Sequence, residues 1–334
     1  MTSSTKDASS TKSVPGEEAD KPQEIPAKGW FQIAKRGWAE AKADQVPLMA
    51  AGVAFYAFLS IFPAMIAGVT LYGLIADPAT VAQQVGSITD TLPAAARELI
   101  TAQLTQLSGQ RKAGLGAAFA VLLALWSASG GVSNLMTAIN TAYDENETRG
   151  FIKKRGIALL LTVGAIVFMV LMLALVAVAP ALLNVFGTSG VVRFLFQALR
   201  YVVLVVVIAV ALAILYRVAP DRDAPKVRWV SVGAGVATVL WLIASIGFSI
   251  YAGMGGYSKT YGAVAGIVIL LFWLWITAYA ILLGAEINAE SEQQTAKDTT
   301  KGPEEPLGQR DAVKADSLPG DTESAEETKA KSPA

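Results

Sequence analysis

The chain has 334 residues, of which 53% are hydrophobic and 16% are charged, and its formal net charge is zero. Soluble globular proteins carry about a quarter charged residues, so this composition indicates a membrane protein. The chain contains no cysteine and no histidine, which excludes a disulfide framework, a histidine- or cysteine-ligated zinc site and a thiol nucleophile, and it predicts no cofactor or metal.

The N-terminal region divides into a tail and a helix. Residues 1–27 are rich in Ser, Thr, Lys, Glu, Asp and Pro and lack aromatic residues, so they are predicted to be disordered. From Lys28 to Lys42, apolar residues recur at helical spacing with basic residues between them. The pattern predicts an amphipathic helix on an anionic lipid surface, and the alternative is an ordinary helix packed on the rest of the protein.

The first membrane span is predicted at residues 48–75, a stretch without any charge. As a helix it would extend roughly 40 Å, which is enough to cross a hydrocarbon core with some tilt. Pro63 lies within it and predicts a kink, which a neighbouring helix or the hydroxyl of Ser60 can compensate.

Further elements follow in chain order. Residues 77–112 are too polar to span a membrane, and their helical periodicity predicts an extramembrane helical hairpin. Five more apolar stretches predict spans at 115–136, 157–183, 194–218, 230–251 and 261–284. Residues 290–334 are polar and acidic on balance, so a second disordered tail is predicted after a membrane domain at 28–289. The predicted class is therefore an all-α, six-span membrane protein.

The distribution of basic residues orients the predicted spans. One side of the membrane carries three groups of four: Lys28, Lys35, Arg36 and Lys42; Arg149, Lys153, Lys154 and Arg155; Arg217, Arg222, Lys226 and Arg228. The other side carries Arg97, Arg111 and Lys112, then Arg193, then Lys259. The positive-inside rule therefore predicts that both termini are cytoplasmic.

Three stretches carry a resemblance to a known family. They are AGVAFYAFLSIFP at residues 51–63, WSASGG followed by Asn-Thr-Ala-Tyr at 126–143, and a Tyr-, Gly- and Trp-containing series at 216–288 that ends in GAEIN. In order and spacing they resemble the YihY/BrkB family of bacterial inner-membrane proteins, some of which were formerly labelled ribonuclease BN. The resemblance covers about residues 30–290. It implies six spans with both termini in the cytoplasm, and it implies no defined biochemical activity.

The second predicted span is unusually polar. Two pairs of residues lie four positions apart, Ser127 with Gly131 and Gly130 with Asn134, so each pair shares a helix face. Asn140 follows one to two turns later. One interpretation is close helix packing at Gly130 and Gly131. The other is the polar lining of a cavity or of a broken-helix binding site.

Other candidate residues lie near the ends of the later spans. Arg200 is predicted inside the outer membrane boundary, where it binds an anionic group or ties helices together, or else extends to the interface. Gly262 and Gly266 form a GxxxG pattern that leaves a homo-oligomer open. Tyr261 is a candidate for the outer mouth of a pathway or for the interfacial aromatic belt. Glu286 is expected to pair with Arg217 or with a loop lysine, or to relay a proton or cation.

Three functions stay open from the sequence. Polar residues at membrane depth and short loops favour a secondary transporter or channel-like permease for an unidentified solute or ion. The first alternative is a structural, envelope-organising membrane protein. The second is a membrane-bound ribonuclease, which is disfavoured because phosphodiester hydrolysis usually needs a cluster of His, Asp or Glu. No residue is assigned a catalytic role, and no nucleic-acid partner is predicted.

Overall fold

The computed structural model describes residues 14–75, 114–185, 190–254 and 263–320. A short 3-10 helix (Pro22–Glu24) opens the chain, and the only strand-like pairing in these ranges is an isolated bridge between Pro225 and Thr300. Seven α-helices follow: α1 (Ala27–Ala43), α2 (Val46–Ile75), α3 (Gly114–Ala142), α4 (Phe151–Val185), α5 (Gly190–Val218), α6 (Val227–Met254) and α7 (Ala263–Gln293). The predicted all-α class is confirmed.

Helices α2 to α7 are each long and apolar enough to cross a membrane, which confirms the predicted number of spans. Several helices extend beyond the predicted limits, because polar residues that flank an apolar run can continue a helix outside the hydrocarbon. Thus α3 continues to Ala142, α4 begins at Phe151 and α7 continues to Gln293. The predicted hairpin at 77–112 lies outside the described residues.

The six long helices form a ring in chain order. Each helix packs on its neighbours in sequence, α7 closes the ring against α2, and α3 also contacts α7. Among helices consecutive in the chain, the contacts are most extensive between α2 and α3 and between α6 and α7, and they are least extensive between α4 and α5. Helices α4 and α5 expose large apolar side chains such as Val167, Phe196 and Val202, which is the surface expected of helices that face lipid.

Helix α1 has one buried face and one exposed face. Gly29, Ile33, Gly37 and Ala41 are buried at a spacing of four residues, and this face packs on α7. Phe31, by contrast, is 73% exposed. The helix therefore packs on the bundle, as one of the two sequence interpretations has it, and it still presents an apolar and basic face outward.

The α6–α7 crossing brings the two backbones into direct contact. A Cβ atom added at Gly233 would overlap the carbonyl oxygen of Gly284, and one added at Gly284 would overlap the hydroxyl of Tyr216 and the Cβ of Ala237. The Tyr216 hydroxyl donates to the carbonyl of Ile281 at 2.7 Å. Small residues are the usual means by which membrane helices approach this closely.

A second close crossing joins α2 and α3. The backbone N–H of Gly131 donates to the hydroxyl oxygen of Ser60 at 3.1 Å, and that hydroxyl donates to the carbonyl of Tyr56 at 2.7 Å. A Cβ at Gly131 would lie 2.6 Å from the same oxygen. Ser60 therefore links two helices, and α2 stays helical through Pro63.

Parts of the two predicted tails are described. Residues 14–26 and 294–320 lie against the helices, and the rest of each predicted tail lies outside the described residues. Thr295 donates to the carbonyl of Ala19 at 2.7 Å, and the backbone N–H groups of Lys226 and Lys301 donate to Thr299 and Ala224 at 2.8 and 2.9 Å. These segments fold because their backbone and charged groups find partners on the bundle, although they carry few apolar residues.

We predict that Gly233→Ala destabilises the protein strongly. The added methyl group has to displace a backbone carbonyl of α7, and overpacking of this kind costs about 3 kcal/mol. Thermal unfolding in detergent, followed by tryptophan fluorescence, measures the effect.

Gly235→Ala is the matched control, because nothing lies within 4 Å of a Cβ at this position of the same helix. It is expected to be neutral or to stabilise the helix by up to ~1 kcal/mol. Equal unfolding temperatures for the two variants would contradict the close crossing.

Candidate functional site

The last turns of α7 and the residue after it carry a group of buried polar side chains. Each of these is at most 1% exposed: Glu286, Asn288, Glu290, Glu292 and Gln294. They are covered by α1 on one side, by the loops 143–150 and 219–226 on another, and by residues 294–320. We call this part of the molecule the capped end.

Helix α1 supplies one cation to the capped end. The Nε atom of Arg36 donates to Oε2 of Glu290 at 2.5 Å, and its Nη2 atom donates to Oε1 of Gln294 at 2.8 Å. Both acceptors are fully buried. Charge-assisted hydrogen bonds of this kind are about twice as strong as neutral ones, and they tie α1 to α7.

The loop between α5 and α6 supplies a second cation. The guanidinium of Arg222 forms a forked pair with Glu292, with an Nη2–Oε2 distance of 2.6 Å and an Nη1–Oε1 distance of 3.3 Å, and both side chains are fully buried. The hydroxyl of Thr299 donates to Oε2 of Glu292 at 2.7 Å, and the guanidinium lies over the ring of Tyr143. A buried pair pays a large desolvation cost, which bidentate geometry and extra donors such as these offset.

The C-terminal segment supplies a third cation, the ammonium of Lys314. Its Nζ atom lies 2.9 Å from Glu290, 3.0 Å from Asp144 and 3.6 Å from Glu40. Burial lowers the pKa of Lys314, but Glu290 and Asp144 outweigh burial and hold this pKa above its usual range. Lys314 therefore remains charged in a site built by α1, α7 and the loop that follows α3.

Glu286 differs from the other carboxylates of α7. It is 1% exposed, and neither of its oxygens has a hydrogen-bond donor among the described residues. Of the charged groups around it, the carboxyl of Asp44, in the turn between α1 and α2, has the largest electrostatic influence on it. Burial, reinforced by Asp144 and Glu40, raises the pKa of Asp44 to about 6. Two adjacent carboxyl groups can hydrogen-bond only when one of them holds a proton, so the Asp44–Glu286 pair is suited to bind one.

The loops 143–150 and 219–226 of the capped end form a separate hydrogen-bond and ion-pair network with the end of α3. Asn140 donates to Glu147 at 3.1 Å and accepts the backbone N–H of Asp221 at 2.8 Å. Arg149 pairs with Glu147 at 2.6 Å and with Asp221 at 3.4 Å. A polar pocket of about 270 Å³ opens beside this network and is lined in part by Glu145, Asp221 and Arg222. Burial raises the pKa of Glu145 to about 7, although it accepts the backbone N–H of Val313 at 2.8 Å.

The predicted polar cavity is not formed by the described residues. Ser127 is exposed on the outside of α3, whereas Asn134 donates to the carbonyl of Gly130 in its own helix at 2.9 Å. Arg200 lies on α5 with its guanidinium over the ring of Tyr201, and α5 is not an extensive neighbour of α3. Asn134 thus serves the backbone of its own helix, and Ser127 faces outward.

The remaining predicted site residues lie in different parts of the molecule. Among the described residues of this single chain, nothing lies within 4 Å of a Cβ at Gly130 or Gly266, whereas Gly131 lies at the α2–α3 crossing. Tyr261 and Gly262 lie outside the described residues. Asn140 and Glu286 both reach the capped end, but the expected pairing of Glu286 with Arg217 or a lysine is not found.

Sequence reasoning missed Asp44, Glu290, Glu292 and Lys314. A signal was present in α7, because acids recur at Glu286 and Glu290 four residues apart, beyond the apolar run. A polar run of this kind predicts a solvated tail from its composition. Only the helical spacing of its acids, followed past the end of the membrane span, indicates that the helix continues.

Comparisons with known proteins give a consistent result. The family model described as "Virulence factor BrkB" matches residues 38–308. The ribonuclease-like protein YfkH of Bacillus subtilis (strain 168) is 34% identical over 245 residues, which cover 72% of this chain and 87% of YfkH. The UPF0761 membrane protein PBPRA3489 of Photobacterium profundum is 27% identical over 281 residues, which cover 81% of this chain and 83% of the relative. No solved structure is similar.

We predict that Asp44→Asn stabilises the protein at neutral pH but not at pH 4. The folded protein holds the Asp44 proton more tightly than the unfolded chain does, so the stability that this group contributes is present below pH 4 and is lost as the pH rises through about 6. Because the side chain is only half-buried, solvent screening reduces the expected gain at pH 7.5 to about 1 kcal/mol. Unfolding temperatures measured between pH 4 and pH 8 test it.

Asp223→Asn serves as the control, because it changes an exposed aspartate at the same end of the molecule. Its effect is expected to stay within about 0.5 kcal/mol at every pH. A pH profile for Asp44→Asn that parallels the wild-type profile would contradict the assignment.

Proposed function

This chain belongs to the virulence factor BrkB family of multi-pass membrane proteins, and from that premise we propose that it is a proton-dependent secondary permease of the bacterial plasma membrane. The observation that carries the proposal is Glu286, a carboxyl group at the end of a spanning helix that is buried without a donor. Ionisable residues in such positions are costly, and by default they mark ion or proton pathways.

The location of Glu286 suits a proton site. It lies where α7, α1 and the start of α2 meet, next to the carboxyl of Asp44. A proton bound by the pair removes a negative charge from a group of carboxylates, and its loss restores that charge. A change of charge between packed helices is one way in which a proton gradient can bias two helix arrangements.

We further propose that the capped end faces the cytoplasm. The three groups of basic residues given above lie on α1, at the start of α4 and around the loop between α5 and α6, and several of them are exposed, such as Lys28, Lys35 and Lys42. They favour contact with anionic lipid of the inner leaflet. Lys42 lies over the ring of Trp38, with 5.2 Å between its Nζ atom and the ring centroid, which suits an interfacial helix.

A structural, envelope-organising role is the second candidate. Its support is the tight packing of the capped end, where alanines fill much of the helix interface and three cations, two of them buried, bind the carboxylates of α7. The absence of a cavity joining Ser127, Asn134 and Arg200 within the described residues also favours this candidate over a pathway through that part of α3. Flux measurements separate the two.

We also propose that the chain is not a hydrolase, although its relative YfkH is named ribonuclease-like. The loop acids with the chemistry for such a reaction are engaged elsewhere: Asp221 accepts hydrogen bonds from Thr148 at 2.6 and 2.7 Å, and Glu147 is bound by Arg149. Carboxylates held in this way organise loops.

We predict that the C-terminal segment is reached only from the cytoplasmic side. The chain has no cysteine, so Leu307→Cys, at an exposed position of the segment, introduces a single thiol. A membrane-impermeant maleimide is expected to label it in inside-out vesicles and not in intact spheroplasts. Labelling in intact spheroplasts would overturn the orientation.

We predict that Glu286→Gln abolishes proton-coupled flux. Proteoliposomes loaded with the pH-sensitive dye pyranine are challenged in turn with organic anions, organic cations and inorganic salts. At least one class is expected to raise proton movement about threefold or more over empty liposomes, and the variant is expected to lose that response, because glutamine cannot exchange a proton at neutral pH.

Glu304→Gln is the matched control, because Glu304 is exposed on the C-terminal segment and its replacement should leave flux unchanged. Unfolding temperatures of both variants establish that they are folded. The absence of flux with every class for a folded wild-type protein would favour the structural role.

A further inference from the structure

The ammonium of Lys314 lies in a socket built by three separate elements. Glu40 comes from α1, Asp144 from the loop that follows α3, and Glu290 from α7, and their oxygens lie 2.9–3.6 Å from Nζ. The oxygens of Glu290 and Asp144 lie within hydrogen-bond distance of this ammonium, and the Glu40 oxygen, at 3.6 Å, lies within ion-pair distance. Lys314 itself is only 2% exposed. We call Glu40, Asp144 and Glu290 the acidic socket.

The acidic socket carries more negative charge than Lys314 balances. Two further carboxyl groups face it, and the other cation in contact with it is Arg36, which binds the far oxygen of Glu290. Five carboxyl groups therefore meet two cations: Glu40, Asp44, Asp144, Glu286 and Glu290 against Arg36 and Lys314. Without Lys314, the carboxyl groups in and around the acidic socket therefore favour the binding of a cation.

Glu286 gives an independent indication that the socket is a site for a ligand. It is buried, both of its oxygens lack a donor, and it interacts electrostatically with Lys314, Glu290 and Glu40. A buried acceptor without a partner calls for a specific explanation, and an exchangeable cation beside it is one.

The segment that delivers Lys314 is attached in two parts. Residues 294–301 are bound through backbone hydrogen bonds to the loop before α6 and to the N-terminal segment. Exposed residues 301–309, which include Gly302 and Gly308, lead to residues 309–320, which we call the strap. Arg310 joins the strap to residues 294–301, because it donates to the carbonyls of Ala296 and Lys297 and lies 3.9 Å from Asp298. The strap contacts the end of α7 through hydrogen bonds such as Ser317 with Gln293 at 3.1 Å. Lys314 supplies the ion pairs between the strap and the helix bundle.

We propose that the acidic socket is a binding site for a primary ammonium cation, which Lys314 occupies from within the chain, and that a free primary amine competes with the strap for it. The strap then acts as an internal, releasable ligand. The proposal concerns binding alone, so it stands whether or not a solute crosses the membrane.

Accessibility of the strap measures the competition in the full chain in detergent micelles. Ala315→Cys places the single thiol next to Lys314 at a position that is 0% exposed, so its reaction with a maleimide reports release of the strap. Methylammonium chloride is expected to accelerate the reaction about tenfold at saturation, whereas tetramethylammonium chloride at the same ionic strength, which has no N–H donor, is expected to leave the rate nearly unchanged.

Two further variants complete the test. Lys314→Ala in the Ala315→Cys background is expected to raise the labelling rate about tenfold and to remove its dependence on methylammonium, because the ion pairs that hold the strap are gone. The exposed thiol of Leu307→Cys should react rapidly in every condition. Equal acceleration by both salts means that simple screening loosens the strap, and it overturns the ammonium site, as does a Lys314→Ala rate equal to that of the parent.

Calorimetry provides a second measurement that does not depend on the reporter cysteine. Lys314→Ala alone leaves the socket vacant, and it is expected to bind methylammonium at least about tenfold more tightly than the wild-type chain does, because no internal competitor remains. Tetramethylammonium should bind neither protein detectably. Equal or absent binding of methylammonium to the two proteins overturns the proposal.

Discussion

The pairing of buried carboxylates on α7 with cations from distant parts of the chain is the constraint on which the capped end depends. Glu290 and Glu292 are removed from water on the final turns of a membrane helix, where an unpaired charge would cost several kcal/mol. Arg36, Arg222 and Lys314 reach them from α1, from the loop before α6 and from the C-terminal segment. The packing of α1, of the loop before α6 and of the C-terminal segment on α7 is therefore coupled through the carboxylates that they share.

Within the membrane the helices are held together differently. Lipid is as apolar as the side chains it touches, so burial of apolar area drives little association, and close contact has to come from small residues and hydrogen bonds. At the α6–α7 crossing, Gly233 and Gly284 let the backbones meet, and Asn288 accepts the N–H of Gly233 at 2.6 Å. Asn288 lies one helical turn beyond Gly284, so a single face of α7 passes directly from backbone packing into the ionic network.

The sequence predicted the spans well and the capped end poorly, for a physical reason. A span is a local property, because some twenty apolar residues suffice to define it, and the adjacency of successive helices from α3 to α7 follows from the short connections between them. The partners of Glu290 lie 254 and 24 residues away, and no periodicity marks them. Residues 294–320 look like a disordered tail in composition, yet Arg310 is 2% exposed and donates to four backbone carbonyls. Polar residues can be buried when they have hydrogen-bond or ion-pair partners. The composition of a segment does not reveal those partners.

Glu286 differs from the polar side chains around it, because those side chains have hydrogen-bond partners. Its neighbours Asn288, Glu290 and Glu292 each have at least one hydrogen-bond partner at 3.3 Å or less. A protein that needed only a stable lock at this end could carry glutamine or leucine at 286 with no loss of pairing, and replacing buried charge with apolar side chains often stabilises. A carboxyl kept there at a cost, beside a second carboxyl and a displaceable ammonium, is better explained by a cation or proton that comes and goes than by packing.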